Sequence, residues 1–228
     1  MSEGFLMRVK YVKRGRLAYL SHLETIRSME RIIRRAGLPY AITEGFNPHM
    51  KVSFGPALPV GAGSDGEYLD LRLREFVKPA EALERMQATS VADLQPIACE
   101  YINMRADAVT VAFPVSDWLA VVENTNVEEL GNALDTLMAR GYIEVARKPK
   151  KGRGPAKVKQ ISFENRLLGK PQMEQLGKDV AVRFTTCAQD EGSLRPDKFL
   201  AAMLEPLGER APRVAALTRL ELRAAQVK

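Results

Sequence analysis

Apolar and polar residues partly alternate along FLMRVKYV, Phe5 to Val12, which predicts a first strand ending at the turn KRGR. A helix should follow. Ser21 and Glu24 form the S-x-x-E capping box, in which each side chain satisfies an orphan amide of the first turn. Gly37 and Pro39 should stop this helix near Ala36. Leu23, Ile26, Met29 and Ile33 fall on one side of its wheel, and Arg27, Arg31, Arg34 and Arg35 on another. One face is built to pack and the other is cationic.

Short strands are predicted at Tyr40 to Thr43 and Met50 to Phe54, around the turn formers of GFNPH. GPALPVGAGSDG reads as an irregular loop. EYLDLRLRE then alternates cleanly, with Tyr68, Asp70, Arg72 and Arg74 opposite Leu69, Leu71 and Leu73. A helix from Pro79 to Ala88 and a strand from Leu94 to Ile102 complete a first half, residues 1–104. The second half, 105–228, repeats the order with a strand at Val109 to Val115 and a helix at Val127 to Arg140. Strands at Tyr142 to Ala146, Lys157 to Phe163 and Val180 to Thr186 come next, then a helix at Pro196 to Leu204 and a strand at Val214 to Leu222. PAEALERM at Pro79 corresponds to PDKFLAAM at Pro196, as a divergent internal duplication would leave it. The expected fold is α+β: two tandem ferredoxin-like, split βαβ halves with antiparallel sheets backed by helices. Such folds carry many unrelated activities, so the architecture alone assigns none.

Composition narrows the class. An apolar share of 46% with 27% charged residues suffices for a buried core. No apolar run is long enough to span a membrane, and MSEGFLMRVK lacks a signal-peptide stretch, so a cytoplasmic protein without membrane attachment is expected. Cys99 and Cys187, far apart and each in a predicted strand, form no CxxC pair and read as core thiols. The formal charge of +6 favours polyanionic partners. Much of it is local: RKPKKGRGPAKVK carries Arg147, Lys148, Lys150, Lys151, Arg153, Lys157 and Lys159 without an acid. This reads as a basic hairpin tip suited to salt-sensitive contact with an RNA backbone.

The chain has two histidines, His22 and His49, and both lie in segments of specific turn chemistry. His22 would sit among the free amides of a helix start, and His49 follows Asn47 and Pro48 before Lys51 and Ser53. Ser21, His22, Asn47, His49, Lys51 and Ser53, together with Arg27, Arg31, Arg34 and Arg35, are the candidate anion-binding set, because arginine forks pair with two phosphate oxygens. Each histidine could equally serve its own loop, and the arginines a solvated helix face. Ser193 could cap the helix that Pro196 starts, with Arg195 facing an anion there or simply completing the helix entry. There is no GxxxxGK[ST] loop, HExxH helix, GxSxG elbow or cysteine triplet, so no metal site is expected. Two histidines as general acid and base could still cleave RNA without metal.

The N-terminal stretch resembles a bacterial family of unknown function known as radical-SAM-associated or radical-SAM-linked. The resemblance covers residues 5–102 and rests on Leu20-Ser21-His22-Leu23, the arginine-bearing helix, Gly45-Phe46-Asn47-Pro48-His49, Ser53-Phe54-Gly55 and Gly66-Glu67-Tyr68. GSLRPDKFL and ALTRLEL extend it more loosely. It implies a module found alone or behind a radical-SAM enzyme with a cobalamin-binding region. This chain has no cluster motif of its own, so S-adenosylmethionine, an iron–sulfur cluster and cobalamin would belong to a partner enzyme. The reading that follows is an accessory RNA-binding protein serving a radical-SAM enzyme. The alternatives are a metal-independent endoribonuclease using His22 and His49, resembling tandem ferredoxin-like CRISPR-repeat nucleases, and a pure protein partner of the radical-SAM enzyme.

Overall fold

The alternation at the N-terminus becomes strand β1, Phe5–Lys13, with Met7, Val9 and Tyr11 turned into a core. A computed structural model describes residues 4–147, 157–189 and 192–225. Contacts divide the chain into two compact units, Met1–Pro114 with Arg219–Lys228, and Val115–Thr218. In the first unit β1 is followed by a 3-10 turn at Gly15–Tyr19, α1 (His22–Arg35), β2 (Val52–Phe54), β3 (Ala62–Leu73), α2 (Pro79–Ala88), β4 (Pro96–Ile102) and the short α3 (Val109–Ala112). The second unit holds β5 (Val115–Val122), α4 (Val127–Arg140), β6 (Tyr142–Arg147), β7 (Lys157–Ser162), β8 (Gln172–Leu176), β9 (Asp179–Cys187) and α5 (Pro196–Leu204). A 3-10 turn at Glu205–Arg210 then leads into β10 (Val214–Arg223), whose last residues, from Arg219, belong to the first unit.

The first unit orders its strands β4-β1-β3, with β2 antiparallel on β3. Strands β1 and β2, joined through α1, thus flank β3, which is the split βαβ arrangement. The second unit repeats it as β10-β5-β9-β8, with the β6–β7 hairpin inserted after α4. The fold is α+β with a mostly antiparallel sheet. In the first core Met29, Ile32 and Ile33 of α1 and Ala82 and Met86 of α2 cover Met7, Val9, Leu69, Leu71 and Leu73. Each fully buried aliphatic side chain contributes about 1.5–3 kcal/mol, so this interdigitated layer sets where α1 sits. In the second core Phe199 of α5 packs against Phe184 and Phe163.

Several boundaries differ from the sequence reading. Strand β3 starts at Ala62, inside the glycine-rich stretch read as a loop, because Ser64 still pairs with Lys13 of β1. A Cβ at Gly66 would lie 2.7 Å from Cε of Lys10, a contact that the flexible end of the Lys10 side chain can relieve by moving. Residues 109–112 form α3 rather than a strand, and β5 begins only after Pro114, which cannot donate a ladder hydrogen bond. Tyr40 and Ile42 make isolated bridges to Leu73 and Met50 instead of a continuous strand. Strand β8 is almost wholly exposed and polar, so periodicity gave no sign of it. Leu23, placed by its wheel position on the packing face, is 63% exposed, since the buried stripe runs through Thr25, Met29, Ile32 and Ile33.

Candidate functional site

The capping box predicted at Ser21 is present: the Ser21 hydroxyl accepts the Glu24 N–H at 3.4 Å, and the Glu24 carboxylate accepts the Ser21 N–H at 2.8 Å. These bonds hold the Glu24 carboxyl below its ordinary pKa, with a smaller push from Arg27. Along the outer face of α1 stand Arg27, Arg31, Arg34 and Arg35, all exposed. None of the four is in an ion pair among the described residues, whereas Arg8, Arg14, Arg85, Arg140, Arg195 and Arg219 each hold a carboxylate. Four exposed guanidinium groups outside any ion pair among the described residues, against Glu24 and Glu30 on the same helix, make this face of α1 net cationic.

His22 packs at ring distance 6.3 Å against Phe54, and burial followed by the Lys13 charge pushes its pKa down. It borders a cavity walled also by Tyr11, Lys13, Thr25, Gly55, Pro56, Leu58 and Glu67. The cavity measures about 10 Å³, room for about one water molecule and far too little for a substrate. His49 is not in its wall. His49 is exposed on the segment after Thr43, donating its N–H to the Thr43 hydroxyl at 2.9 Å and accepting the Thr43 N–H at 2.8 Å. Asn47 and Ser53 are also exposed, and Lys51, half-buried, bonds through its backbone to Ala41 and Arg72. The structure thus brings Phe54 and Gly55 to the start of α1 and leaves Asn47, His49, Lys51 and Ser53 outside the His22 cavity.

Beneath His22 lies a charged cluster that the sequence reading missed. Arg219 Nη1 donates to both Glu67 oxygens at 2.9 Å and to the Pro56 carbonyl at 3.1 Å, with the two side chains 3% and 4% exposed. Burial raises the Glu67 pKa against the opposing influence of Arg219, and raises that of the neighbouring Tyr11 well above its ordinary value. Lys13, only 2% exposed, donates to the carbonyls of Ala18 at 3.0 Å and Leu20 at 2.8 Å, tying the 3-10 turn to the residue before the helix cap. Burial lowers its pKa. The signal was parity: Lys13 and Glu67 occupy the same strand faces as Met7, Val9, Tyr11 and Leu69, Leu71, Leu73. A charge at an inward strand position announces a buried pair.

The opposite face of the same strands is self-neutralised. Arg8 forks onto Asp70 at 2.7 and 2.8 Å, and Lys10 lies 3.7 Å from Glu221 and 5.5 Å over the Tyr68 ring. A hollow of about 250 Å³ beside them is lined by Arg8, Lys10, Tyr68, Ala98, Cys99 and Glu100. Its cations already have carboxylates, so it exerts no net pull on an anion.

In the second unit Arg195 turns its fork to Asp197 at 3.0 and 2.9 Å, so that fork is already occupied. Arg147 and Lys157 are register partners closing β6 and β7. The Lys159 ammonium lies beside Gly192. Lys148, Lys150, Lys151 and Arg153 of the basic segment lie outside the described residues. Among the described residues no three His, Cys, Asp or Glu side chains converge as metal ligands, and no helix is long and apolar enough to cross a membrane. The Cys99 thiol donates to the Pro79 carbonyl at 3.1 Å.

A split βαβ unit carrying a row of exposed arginines on its first helix is the class of protein this geometry defines. Residues 7–196 match the family described as "Uncharacterized protein conserved in bacteria (DUF2344)", and the chain belongs to it. No curated protein matches the sequence. Among solved structures, a Cbf5-Nop10-Gar1 complex is similar at 10% identity and TM-score 0.50, over 95% of this chain and 48% of that one. An H/ACA RNP bound to a substrate RNA containing 2′-deoxyuridine matches at 10% identity and TM-score 0.48, over 95% and 47%. The chain spans about half the length of these chains, and the first likeness is one of fold alone.

Proposed function

We propose that this protein binds RNA along the outer face of α1 and does so as an accessory to a separate enzyme. The observation that carries the reading is the row Arg27, Arg31, Arg34 and Arg35, exposed and without carboxylate partners among the described residues. From Arg27 to Arg35 the helix rises about 12 Å, the length of three or four nucleotides in a stacked strand. Guanidinium forks suit phosphate oxygens, so the contact is read as one to the RNA backbone. The basic stretch from Arg147 to Lys159 would add sequence-independent affinity. The likeness to radical-SAM-linked proteins supports such an enzyme as the one served.

Filter binding across a salt series tests the binding. Arg27→Gln with Arg31→Gln should weaken RNA binding and flatten the plot of log affinity against log salt by about 1–2 units. Absence of RNA affinity at low salt, or affinity and slope untouched by the double substitution, sinks the proposal. Stable co-purification with a radical-SAM enzyme tests the partnership. A ribonuclease pairing His22 with His49 has less support, because His22 faces room for one water and His49 lies outside that cavity.

A further inference from the structure

We infer that the RNA held by α1 is single-stranded and lays an unpaired base on an aromatic platform formed by Phe76, Phe5 and Tyr101. This rests on the RNA-binding reading and adds to it the state of the nucleic acid. The Phe76 ring stacks on Tyr101 at 5.0 Å and 25°, and Phe5 stands 5.7 Å from both, inclined at 68° to Phe76 and 58° to Tyr101. Despite these contacts Phe76 is 57% exposed and Phe5 36%. Apolar ring surface is thus presented to solvent on a fixed support.

The support is rigid for a local reason. The Tyr101 hydroxyl donates to the Val77 carbonyl and accepts the Val77 N–H, both at 2.9 Å, while the Val77 side chain is buried in the core. The backbone that carries Phe76 is therefore clamped on its C-terminal side. A ring so fixed loses little conformational entropy when a base settles on it.

Position and charge name the occupant. The N–H of Arg74 donates to the carbonyl of Pro39 at 2.8 Å, so the segment leading to Phe76 is bonded to the chain four residues beyond Arg35, where the arginine row ends. Arg74 and Lys78 flank Phe76 in the chain, both exposed and in no ion pair among the described residues, and Glu75 is the one acid within residues 74–78. Cations tracking a backbone beside exposed aromatic rings are the elements of single-strand recognition, in which any base can stack. A duplex keeps its base faces inside its own stack and would reach only the arginines.

The experiment is fluorescence anisotropy at fixed salt with labelled oligo(U) and with an RNA duplex of the same length. Phe76→Leu keeps the apolar volume and removes the ring; it should lose about tenfold on oligo(U) and stay within about twofold on the duplex. Phe76→Trp should restore oligo(U) binding. Unchanged oligo(U) affinity in Phe76→Leu, or a loss that Phe76→Trp fails to restore, overturns the inference. If Arg27→Gln with Arg31→Gln weakens both RNAs while Phe76→Leu alters neither, the platform falls and the RNA-binding reading stands. Native protein that binds neither RNA overturns both.

Discussion

Replacing Arg219 by methionine removes the guanidinium from a carboxylate that is almost wholly shielded from solvent. Both side chains of the Arg219–Glu67 pair are under 5% exposed, and one guanidinium nitrogen reaches both Glu67 oxygens at 2.9 Å. Breaking a buried pair by deleting one partner costs about 3–5 kcal/mol, because the remaining charge stays buried. Set against a total stability of about 5–15 kcal/mol, that is a large fraction. Glu67 would keep the Ser64 hydroxyl and the charge of Lys13, and its pKa, already raised by burial, would rise further. A carboxyl whose folded pKa lies above its unfolded one binds its proton more tightly when folded. Folding is then favoured where the proton is bound, and stability falls as pH climbs from the ordinary Glu value of about 4.3 through the raised folded value. The Arg219→Met deficit should therefore be larger at about pH 8 than at about pH 5. Adding Glu67→Gln should recover much of it and abolish the pH dependence. Urea unfolding followed by far-UV circular dichroism is the assay, since the chain's single tryptophan, Trp118, reports on the second unit. A deficit below about 1 kcal/mol, or one equal at both pH values, would refute the reasoning.

Ser21→Ala should destabilise the first unit by about 1 kcal/mol through loss of the helix cap, read as a lower urea midpoint. Glu24→Gln should remove an acid-sensitive contribution: the Glu24 pKa is depressed in the fold, so its stabilisation is present above the ordinary carboxylate pKa and fades as pH falls through the folded value. A comparison of native and variant melts across the acid range checks this. Arg27→Gln with Arg31→Gln, which remove exposed and unpaired charges, should leave stability within about 0.5 kcal/mol while lowering RNA affinity, so melting and filter binding must separate. Gly37→Ala places a side chain at φ 63° past the end of α1, with nothing crowding it, and should cost about 1 kcal/mol of backbone strain in the same melts.

Local signals were legible wherever a short-range rule decides the outcome. The S-x-x-E cap, the arginine face of α1, the alternation of β3 and the proline-started helices α2 and α5 all appear where the sequence places them. Rules of that kind compare residues one to four apart, so a single chain contains the whole argument. The errors have the opposite character. Whether Ala62 to Asp65 continue a strand depends on β1 lying beside them, and whether Leu23 is covered depends on which elements reach the first turn of α1. The short polar strand β8 owes its existence to β9.

The candidate site divides along the same line. Sequence alone determined that α1 begins at a capped turn and presents four arginines on one side, because helical period and capping chemistry are local. Tertiary structure decided that those arginines form no ion pair among the described residues, that His22 meets Phe54 over a one-water cavity, and that Arg219 comes to Glu67, 152 residues away in the chain. It also stacked Phe76 on Tyr101 through bonds to Val77. Partners distant in the chain are chosen by how strands order and helices pack, and the burial that makes a charge pair costly or an aromatic ring available exists only once that packing is complete.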